Sequence, residues 1–584
     1  MPLGSRRIDV TRPAEVLPDR PQPALPDGAS AAQPRPLTQR LGWAVLYAGA
    51  TFFAFLVLFG FSNLVWGGGY MTSFGGASAG DHIQLSYYFW LWWDAITTGS
   101  HVPWTDPFQF TATGFTTRQP FGWPLVLVSL PVQAVWGAVA AYNAVFYSSF
   151  IAAAGATYAW VRRLNLSPAA AAVAGFAFAF APFRLAQRWH INALLAFLLP
   201  LTLYFVERAL RGPERRARLA GWGAAATFVS LTASGEMHVA VYFAPVLVAY
   251  VVLRSQGVAR VRLSALLLPA IAGLLGAMFC LLATYVAVHT PSYRASVGIT
   301  DAAEKYAPRP MDLVRRGSPS ERTAYPGAVT FGLAAIGLIA GLRRRGPKPL
   351  LIFLTVLIVG AYALALLPAG RDVGIGIYRA LPLLNHIRVP GRIMVVATLA
   401  FAALAAFGVS RIRLPRVPAL AIGVALASLI VLDNAAFTRN IASAPVEPNL
   451  LHGVPQGARV LDLPPFDSGH FVGSRYMVQL IHNPGPRVGG YSVFATDEAW
   501  KAQQRTKPLT EVPVDDCHWR DTARSFGFEH VSVHTALFGV HPRWPRDPVA
   551  LIAALDAHPA FSRLSATRDV IVYRLDPDVL ECAR

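Results

Sequence analysis

An acid, a histidine and an amide stand just ahead of an aromatic run in the stretch "GDHIQLSYYFWLWWDAI". The Asp81 carboxylate in it could accept the proton of a substrate hydroxyl as a general base. The spacing from Asp81 to Gln84 also fits a capping box, in which the acid accepts backbone N–H bonds at a helix start and the amide reaches back. Asp94 lies thirteen residues after Asp81, about 220° around a helix, which disfavours a mechanism with paired carboxylates. The two interpretations of Asp81 are compatible, and both stay open.

Arginines at two further places could bind phosphate. In "NHIRVPGRIMV" the proline suits the first turn of a helix, so Arg388 and Arg392 would bracket the helix start. Guanidinium groups bind phosphate through two parallel hydrogen bonds, and we expect these two to be reachable by solvent. The stretch "PFRLAQRWHINA" places Arg184, Arg188 and His190 at a similar turn. Contact with lipid head groups is the alternative role at both places.

Two further acids, Glu236 and Asp106, could have purely structural roles. Glu236 and His238 occur in "TASGEMHVAVY", between two apolar runs joined by almost nothing. An ionisable residue at the edge of the bilayer indicates a functional site, although a solvated turn also explains it. Asp106 precedes a proline in "PWTDPFQF", which is typical of a residue that forms a turn.

The composition indicates a membrane protein. The chain has 584 residues, 54% hydrophobic and 14% charged, with a mean hydropathy of +0.41, which is too apolar for one soluble core. The net charge of +19 does not indicate nucleic-acid binding, because the arginines form short clusters between apolar runs, where they set membrane orientation. No cysteine spacing resembles a zinc site, but Cys517 and Cys582 could pair in an extracytoplasmic region.

The apolar runs predict about eleven membrane spans, since each needs about twenty mostly apolar residues. They cover residues 41–63, 140–161, 169–183, 191–206, 219–234, 237–253, 263–289, 325–342, 350–367, 393–409 and 417–437. Segment 121–138 is apolar but contains Pro124 and Pro131. If segment 121–138 enters the membrane without crossing it, the arginine clusters all face the cytoplasm. We therefore predict a cytoplasmic N-terminus and an extracytoplasmic C-terminus.

This topology predicts three domains. Residues 1–40, rich in Pro, Ala and Arg, form a disordered cytoplasmic tail. Residues 41–437 form the membrane domain, with outer loops 64–139, 290–324 and 368–392. Residues 438–584 form an extracytoplasmic α/β domain, in which "ARVLDLP", "FEHVSVHTALFG" and "DVIVYRL" are strands and "PVALIAALDAH" is a helix.

Several stretches follow one another in the order of a known family. One span precedes an outer loop that opens with "GDHIQLSYYFWLWWDAITTGSHVPWTDPFQF". Arginine-flanked spans with "HINALLAFLLPLTLYFVERAL" come next, then "ERTAYPGAVTFGLAAIGL", "IRVPGR" and the α/β domain. This arrangement resembles the YfhO-type membrane proteins of the GT-C superfamily of polytopic glycosyltransferases. The resemblance covers nearly the whole chain after the tail and depends on order and spacing.

The resemblance implies transfer of one sugar from a polyprenyl-phosphate carrier to a cell-envelope glycan or glycolipid acceptor. The reaction would occur at the outer side of the bacterial cytoplasmic membrane. In GT-C enzymes an acid at the start of the first outer loop is the presumed base, and Asp81 matches it. Metal-dependent members place further carboxylates nearby, whereas His82 and Ile83 follow here. Because a divalent ion needs several oxygen ligands, we predict neither a metal nor another cofactor.

The implied mechanism gives the other candidate residues roles. Arg388 and Arg392 would stabilise the leaving phosphate by fixed positive charge, with Arg184 and Arg188 as reserves. A single well-placed carboxylate implies inversion at the anomeric carbon. We expect Asp81, Glu236 and the Arg388/Arg392 pair to line one cavity. Substrate hydroxyls would be positioned by His82, Gln84, His190, Glu236 and His238.

Two other classes of function remain as alternatives. A lipid-linked sugar flippase or transporter could also have many spans and charged residues, but such proteins tend to show internal repeats and broken helices at mid-membrane. The sequence has no evident repeat, and its charges cluster at one face. A binding protein whose working part is the α/β domain is the third possibility.

Overall fold

The chain is described from residue 49 onward, with gaps. The computed structural model describes residues 49–51, 53–54, 58, 70–74, 81–103, 105–109, 117–118, 123–212, 214–234, 237–256, 258, 260–288, 299–316, 320–343, 348–380, 387, 389–412, 418–438, 441–445, 449–465, 473–490, 501–502, 504–539 and 547–582. Contacts divide the chain into Met1–Ala50 and Thr51–Arg584, and every element named below belongs to the second unit. The predicted tail and most of the predicted span 41–63 lie outside the described residues.

Helix α1 (Asp81–Thr98) is the aromatic run of the first predicted outer loop. Residues 83–89 are all buried, and Tyr87 and Leu91 are 0% exposed. A helix that is apolar on every face is stable only when it is surrounded by other apolar groups. It ends at Gly99, whose φ of 65° is the left-handed geometry that favours glycine after a helix. The first half of α1 is thus buried in the protein, and Asp81 is the first residue of the helix.

Fourteen further named helices follow up to residue 434 in the described part of the chain. They are α2 (Trp123–Arg163), α3 (Pro168–Ala179), α4 (Pro182–Ala186), α5 (Ile191–Leu194), α6 (Leu198–Arg211), α7 (Glu214–Ala233), α8 (Met237–Ser255), α9 (Arg260–Val288), α10 (Ile299–Tyr306), α11 (Ala328–Arg343), α12 (Lys348–Leu366), α13 (Arg371–Ala380), α14 (Met394–Val409) and α15 (Ala419–Asn434).

Seven helical segments among the described residues are long and apolar enough to cross a membrane. They are Pro124–Arg163, Pro168–Ala186, His238–Ser255, Leu266–Ala283, Lys348–Gly370, Pro390–Val409 and Ala419–Phe437. The protein is therefore a polytopic helical membrane protein.

The observed helices differ from the predicted spans at two places. Segment 121–138 is helical from Trp123 and continues into the next span, and the two parts meet at Gly137 (φ 81°, ψ 177°). Only glycine adopts such a backbone conformation readily. The predicted span 191–206 is interrupted by a 3-10 turn at Leu195–Phe197. Apolar length predicts that a segment lies in the membrane, but it does not reveal such interruptions.

Helix α14 is buried along its length, and 94% of the span Pro390–Val409 lies inside the protein. It crosses α11 where both helices carry glycine. A Cβ on Gly337 would lie 2.1 Å from the Leu404 carbonyl oxygen, and one on Gly408 would lie 2.0 Å from that of Leu333. Small residues let membrane helices approach to backbone contact. This crossing fixes α14 and the turn that precedes it.

Two short antiparallel sheets organise the first predicted outer loop. Strand β1 (Tyr70–Phe74) pairs with β4 (Ile441–Pro445), and β2 (Thr105–Asp106) pairs with β3 (Thr117–Arg118). The Asp106 Oδ1 atom accepts the backbone N–H of Phe108 at 3.0 Å, which is a side-chain turn onto the backbone two residues on. The prediction that Asp106 forms a turn is confirmed.

The C-terminal part contains a four-stranded sheet. Strands β5 (Val460–Leu463), β6 (His530–His534), β7 (Phe561–Ala566) and β8 (Val570–Leu575) lie in the order β5-β6-β8-β7. The β5–β6 pair is parallel and the other two pairs are antiparallel. Helices in this part include α16 (Ser474–His482), α17 (Asp516–Phe526) and α18 (Val549–Ala557).

The three predicted strands and the predicted helix are found in this sheet region, as β5, β6, β8 and α18. The aromatic rings of Trp519, Phe561 and Tyr573 pack edge to face in its core. Cys517 and Cys582 form a disulfide, with their Cα atoms 5.0 Å apart. The bond ties the start of α17 to the last described residues of the chain.

Candidate active site

Five polar side chains from four segments meet just ahead of α14. Glu321 Oε1 lies 3.3 Å from Arg392 Nη2 and 3.5 Å from His190 Nε2. Gln187 Nε2 donates to Glu321 Oε2 at 3.0 Å, and Arg392 Nη1 lies 3.4 Å from His238 Nδ1. We name these residues (Gln187, His190, His238, Glu321 and Arg392) the Glu321 cluster.

Short 3-10 turns carry Gln187, Glu321 and Arg392, whereas His238 lies in the first turn of α8. Arg392 lies in the turn Pro390–Ile393, where proline occupies the first position, as the sequence predicted. The turn touches the one that carries Glu321 (Ser320–Arg322), since a Cβ on Gly391 would lie 2.4 Å from the Glu321 carbonyl oxygen. Glycine at position 391 therefore lets the two backbones approach and brings the Arg392 side chain beside the Glu321 carboxylate.

The cluster is half-buried and electrostatically matched. The side chains of Arg392, Glu321 and His190 are 11%, 17% and 19% exposed. Burial raises the pKa of Glu321, but the charges of Arg392 and His190 and the hydrogen bond from Gln187 outweigh it and hold that pKa below its ordinary value. Glu321 is thus an ionised carboxylate at neutral pH. As a whole residue Arg392 is 9% exposed, so the expectation that it is freely reachable by solvent is wrong.

Arg184 has a different environment from the one predicted for a phosphate ligand. The residue is 0% exposed. Its guanidinium donates to three backbone carbonyls at 2.9–3.2 Å, and the accepting residues are Ser149, Ala179 and Leu194. The group also lies over the rings of Phe150 and Phe178. These contacts join α2, α3 and α5 and give Arg184 a structural role.

Arg188 is also engaged with the backbone. Its Nη1 atom donates to the carbonyl oxygens of Leu185 and Phe437 at 2.8 and 2.7 Å. This pair of hydrogen bonds connects the turn after α4 with the end of the last candidate span. Arg188 therefore helps to hold the segment that carries Gln187 and His190.

We predict that Arg184→Met lowers stability instead of donor affinity. The change removes the guanidinium donor from three buried carbonyls, at about 1–3 kcal/mol for each group that stays unsatisfied. The expected result is a lower melting temperature in detergent, with an unchanged donor KM in the fraction that folds. A variant that melts like the parent but has a raised donor KM would return Arg184 to the phosphate role.

Other predicted site residues fall only partly within the described chain. Asp81 is the first residue of α1, but its side chain and that of His82 lie outside the described residues, as do Glu236 and Arg388. The predicted cavity shared by Asp81, Glu236 and the arginine pair thus stays a prediction. Gln84 is buried, and its Nε2 atom donates to the Tyr88 hydroxyl at 2.7 Å.

Glu321 and Gln187 were not predicted as site residues. Glu321 occurs in "ERTAYPG", just before an apolar run, and an acid at the mouth of a span is itself a signal of function. Gln187 carries no such signal, because a neutral amide is common at any turn. Nothing in the sequence relates either residue to Arg392, since the cluster joins segments that lie far apart along the chain.

The fold is similar to that of solved membrane glycosyltransferases. The arabinofuranosyltransferase AftD from Mycobacteria superposes with a TM-score of 0.54 at 17% identity, over 92% of this chain and 40% of that protein. ArnT from Cupriavidus metallidurans in the apo state superposes with a TM-score of 0.51 at 12% identity, over 93% of this chain and 100% of ArnT. This chain thus spans about two fifths of the length of AftD. No family model and no curated protein matches the sequence.

These similarities define a class of fold. The chain shares its fold with AftD and ArnT, which are glycosyltransferases of the GT-C superfamily. At 12–17% identity the similarity extends to architecture alone. The activity has to be argued from the residues of the site.

Proposed function

We propose that the protein is a GT-C glycosyltransferase that moves a sugar from a polyprenyl-phosphate carrier to a cell-envelope acceptor. The Glu321 cluster is the observation that carries this proposal. It holds a guanidinium in a fixed place just ahead of a buried span, where the phosphate of a membrane-embedded lipid would lie. Burial of an arginine in such a place is costly and indicates a function.

The geometry of the cluster favours an anionic leaving group. Glu321 binds the Nη2 side of Arg392 and so orients the guanidinium, while Nη1 points toward His238. The donor phosphate would bind at the His238 side, where preorganised positive charge stabilises the negative charge that develops as the carrier leaves. Arg388, four residues before Arg392, would supply a second positive charge.

The reaction is a single displacement at the anomeric carbon. The bond from that carbon to the phosphate oxygen breaks, and its electron pair remains on the phosphate beside Arg392. The acceptor hydroxyl oxygen forms the new bond through an oxocarbenium-like state. Asp81 takes the hydroxyl proton as general base. One displacement inverts the anomeric configuration.

The proposed setting is the outer face of a bacterial cytoplasmic membrane. Residues 41–437 would form the membrane domain and residues 438–584 an extracytoplasmic α/β domain, in a protein of YfhO type. The disulfide between Cys517 and Cys582 supports this orientation, because disulfides persist in oxidising compartments. The acceptor would be a glycan or glycolipid of the envelope.

An assay on the purified full chain in nanodiscs, with a parallel assay in sealed proteoliposomes, tests the proposal against lipid flipping. Radiolabelled polyprenyl-phosphate sugars are supplied with an envelope glycan fraction, and free polyprenyl phosphate and labelled glycan are measured. The expected result is release of the carrier that depends on the acceptor. Movement of intact donor across vesicles, with no cleavage of the sugar–phosphate bond, would overturn the transferase in favour of the flippase.

Removal of divalent ions should leave the transfer rate unchanged. The oxygens of Glu321 already face donors on Gln187, His190 and Arg392, so the positive charge in this site comes from a guanidinium. The rate is measured with excess EDTA and again after Mg²⁺ or Mn²⁺ is restored. A loss with EDTA that one of these ions reverses would contradict the metal-free mechanism.

A further inference from the structure

Segment 486–488 lies between the C-terminal sheet and the loop that follows α1. It runs beside β5, where Val460 N donates to the Pro486 carbonyl at 3.0 Å and Val460 pairs with Arg487 as a parallel bridge. On its other side, the Arg487 N–H donates to the Phe108 carbonyl at 2.7 Å. The mechanism above makes no use of this connection.

A buried charge pair fixes Arg487 to the sheet. Arg487 and Asp462 are 1% and 5% exposed, and Arg487 Nη1 lies 3.6 Å from Asp462 Oδ1. Ser532 Oγ donates to the same oxygen at 2.6 Å, and His534 Nε2 lies 3.3 Å from it. Burial raises the pKa of Asp462, but the charge of Arg487 and the contacts from His534 and Ser532 outweigh it and hold the pKa below its ordinary value.

A second set of buried contacts fixes Phe108 to α1. Phe108 belongs to the turn headed by Asp106, and the Tyr87 hydroxyl of α1 donates to Asp106 Oδ1 at 2.9 Å. Tyr87 and Asp106 are each 0% exposed. The Phe108 ring also packs on Trp90 of α1, with 5.4 Å between ring centroids. The contacts therefore run without a break from Asp462 through Arg487 and Phe108 to Tyr87.

An apolar contact reaches the first turn of α1. Ile83, two residues after Asp81, packs with Val478 of α16, and Val139 of α2 lies against the pair. Ile83 and Val478 are 6% and 5% exposed. The C-terminal part thus contacts α1 directly at Ile83 and reaches Tyr87 indirectly, through Phe108 and Asp106.

We propose that the C-terminal sheet positions α1, and with it Asp81, for the transfer reaction, with Tyr87 and Arg487 as positioning residues. This inference depends on the proposed function. Because α1 is one continuous helix, a shift at Tyr87 moves its first residue as well. Misplacement of a catalytic group by about 1 Å can reduce a rate by roughly a hundredfold.

Tyr87→Phe tests the positioning with little risk to folding. It removes one hydroxyl, while Asp106 keeps its hydrogen bonds from Gln109 and the Phe108 backbone. We expect faster amide hydrogen exchange in residues 81–98, a kcat lower by about tenfold or more and an unchanged donor KM. Tyr250→Phe is the matched control, because Tyr250 is also buried and donates to a carboxylate, that of Glu207, away from α1.

Cross-linking supplies the rescue. Ile83→Cys with Val478→Cys in the Tyr87→Phe background should form a disulfide that restores kcat and amide protection, because the two side chains pack together. Ile83→Ser with Val478→Ser in the same background cannot cross-link and should restore neither. The inference would be overturned if the amide hydrogen exchange of residues 81–98 and the kcat of Tyr87→Phe both equal those of the Tyr250→Phe control. If the wild-type protein transfers no sugar, the proposed function fails. In that case amide hydrogen exchange alone tests the positioning of α1. Faster exchange in α1 of Tyr87→Phe supports the positioning, and unchanged exchange overturns it.

Discussion

Asp81→Asn should reduce sugar transfer by about a hundredfold or more, the usual scale for a lost general base, while the protein melts like the parent. Asparagine caps a helix about as well as aspartate, so a capping role of Asp81 would survive the change. The asparagine amide cannot take up the proton of the acceptor hydroxyl. Turnover with radiolabelled donor and the melting temperature, both measured in nanodiscs, separate the two roles of Asp81.

Asp94→Asn is the matched control for that variant. Asp94 lies on the same helix, and its carboxylate contacts Ser100 and His101 near the other end. Its replacement should leave turnover within the range of the wild-type protein. Near-normal transfer by a well-folded Asp81→Asn variant would make Asp81 a helix cap and remove the proposed base.

Arg392→Met should reduce the transfer rate at limiting donor by roughly a hundredfold to a thousandfold, the cost of losing a preorganised donor to developing charge. The variant also leaves Glu321 half-buried without its guanidinium partner, at about 1–3 kcal/mol. A smaller folded fraction would therefore look like a catalytic loss. The initial rate over a range of donor concentrations, measured on protein of known folded fraction, isolates the catalytic loss.

Two variants separate phosphate binding from stability. Arg392→Met combined with Glu321→Gln removes both charges of the pair and should recover the melting temperature without recovering transfer. Arg379→Met removes an exposed arginine from the same predicted outer segment and should leave the rate unchanged. Recovery of transfer by the double variant would show that Arg392 only balances the charge of Glu321.

Sequence patterns predicted those features that depend on local chemistry. The aromatic run after Asp81 forms the predicted helix, and Asp106 forms a turn because its side chain reaches the backbone two residues on. Proline at position 390 predicted the turn that carries Arg392. The β5, β6 and β8 strands followed from their short apolar runs.

Features that depend on contacts between distant segments could not be predicted in this way. Arg184 and Arg392 look alike in sequence, each near the mouth of a span, yet Arg184 binds backbone carbonyls and Arg392 pairs with Glu321. Gly391 decides that pairing, through a close approach to a backbone 70 positions earlier. Gly137 likewise changes the course of α2 without altering its apolar pattern. The backbone geometry of single glycines therefore determines side-chain pairing and helix direction, which hydropathy does not predict.

A structure of the full chain in nanodiscs with a non-hydrolysable polyprenyl-phosphate sugar analogue tests the central claim most directly. We expect the analogue phosphate to lie within hydrogen-bond distance of the Arg392 guanidinium, with the anomeric carbon facing the start of α1. The sugar would then stand between the leaving-group site and the base. A phosphate bound elsewhere, with Arg392 still paired with Glu321 and His238, would contradict this role of Arg392.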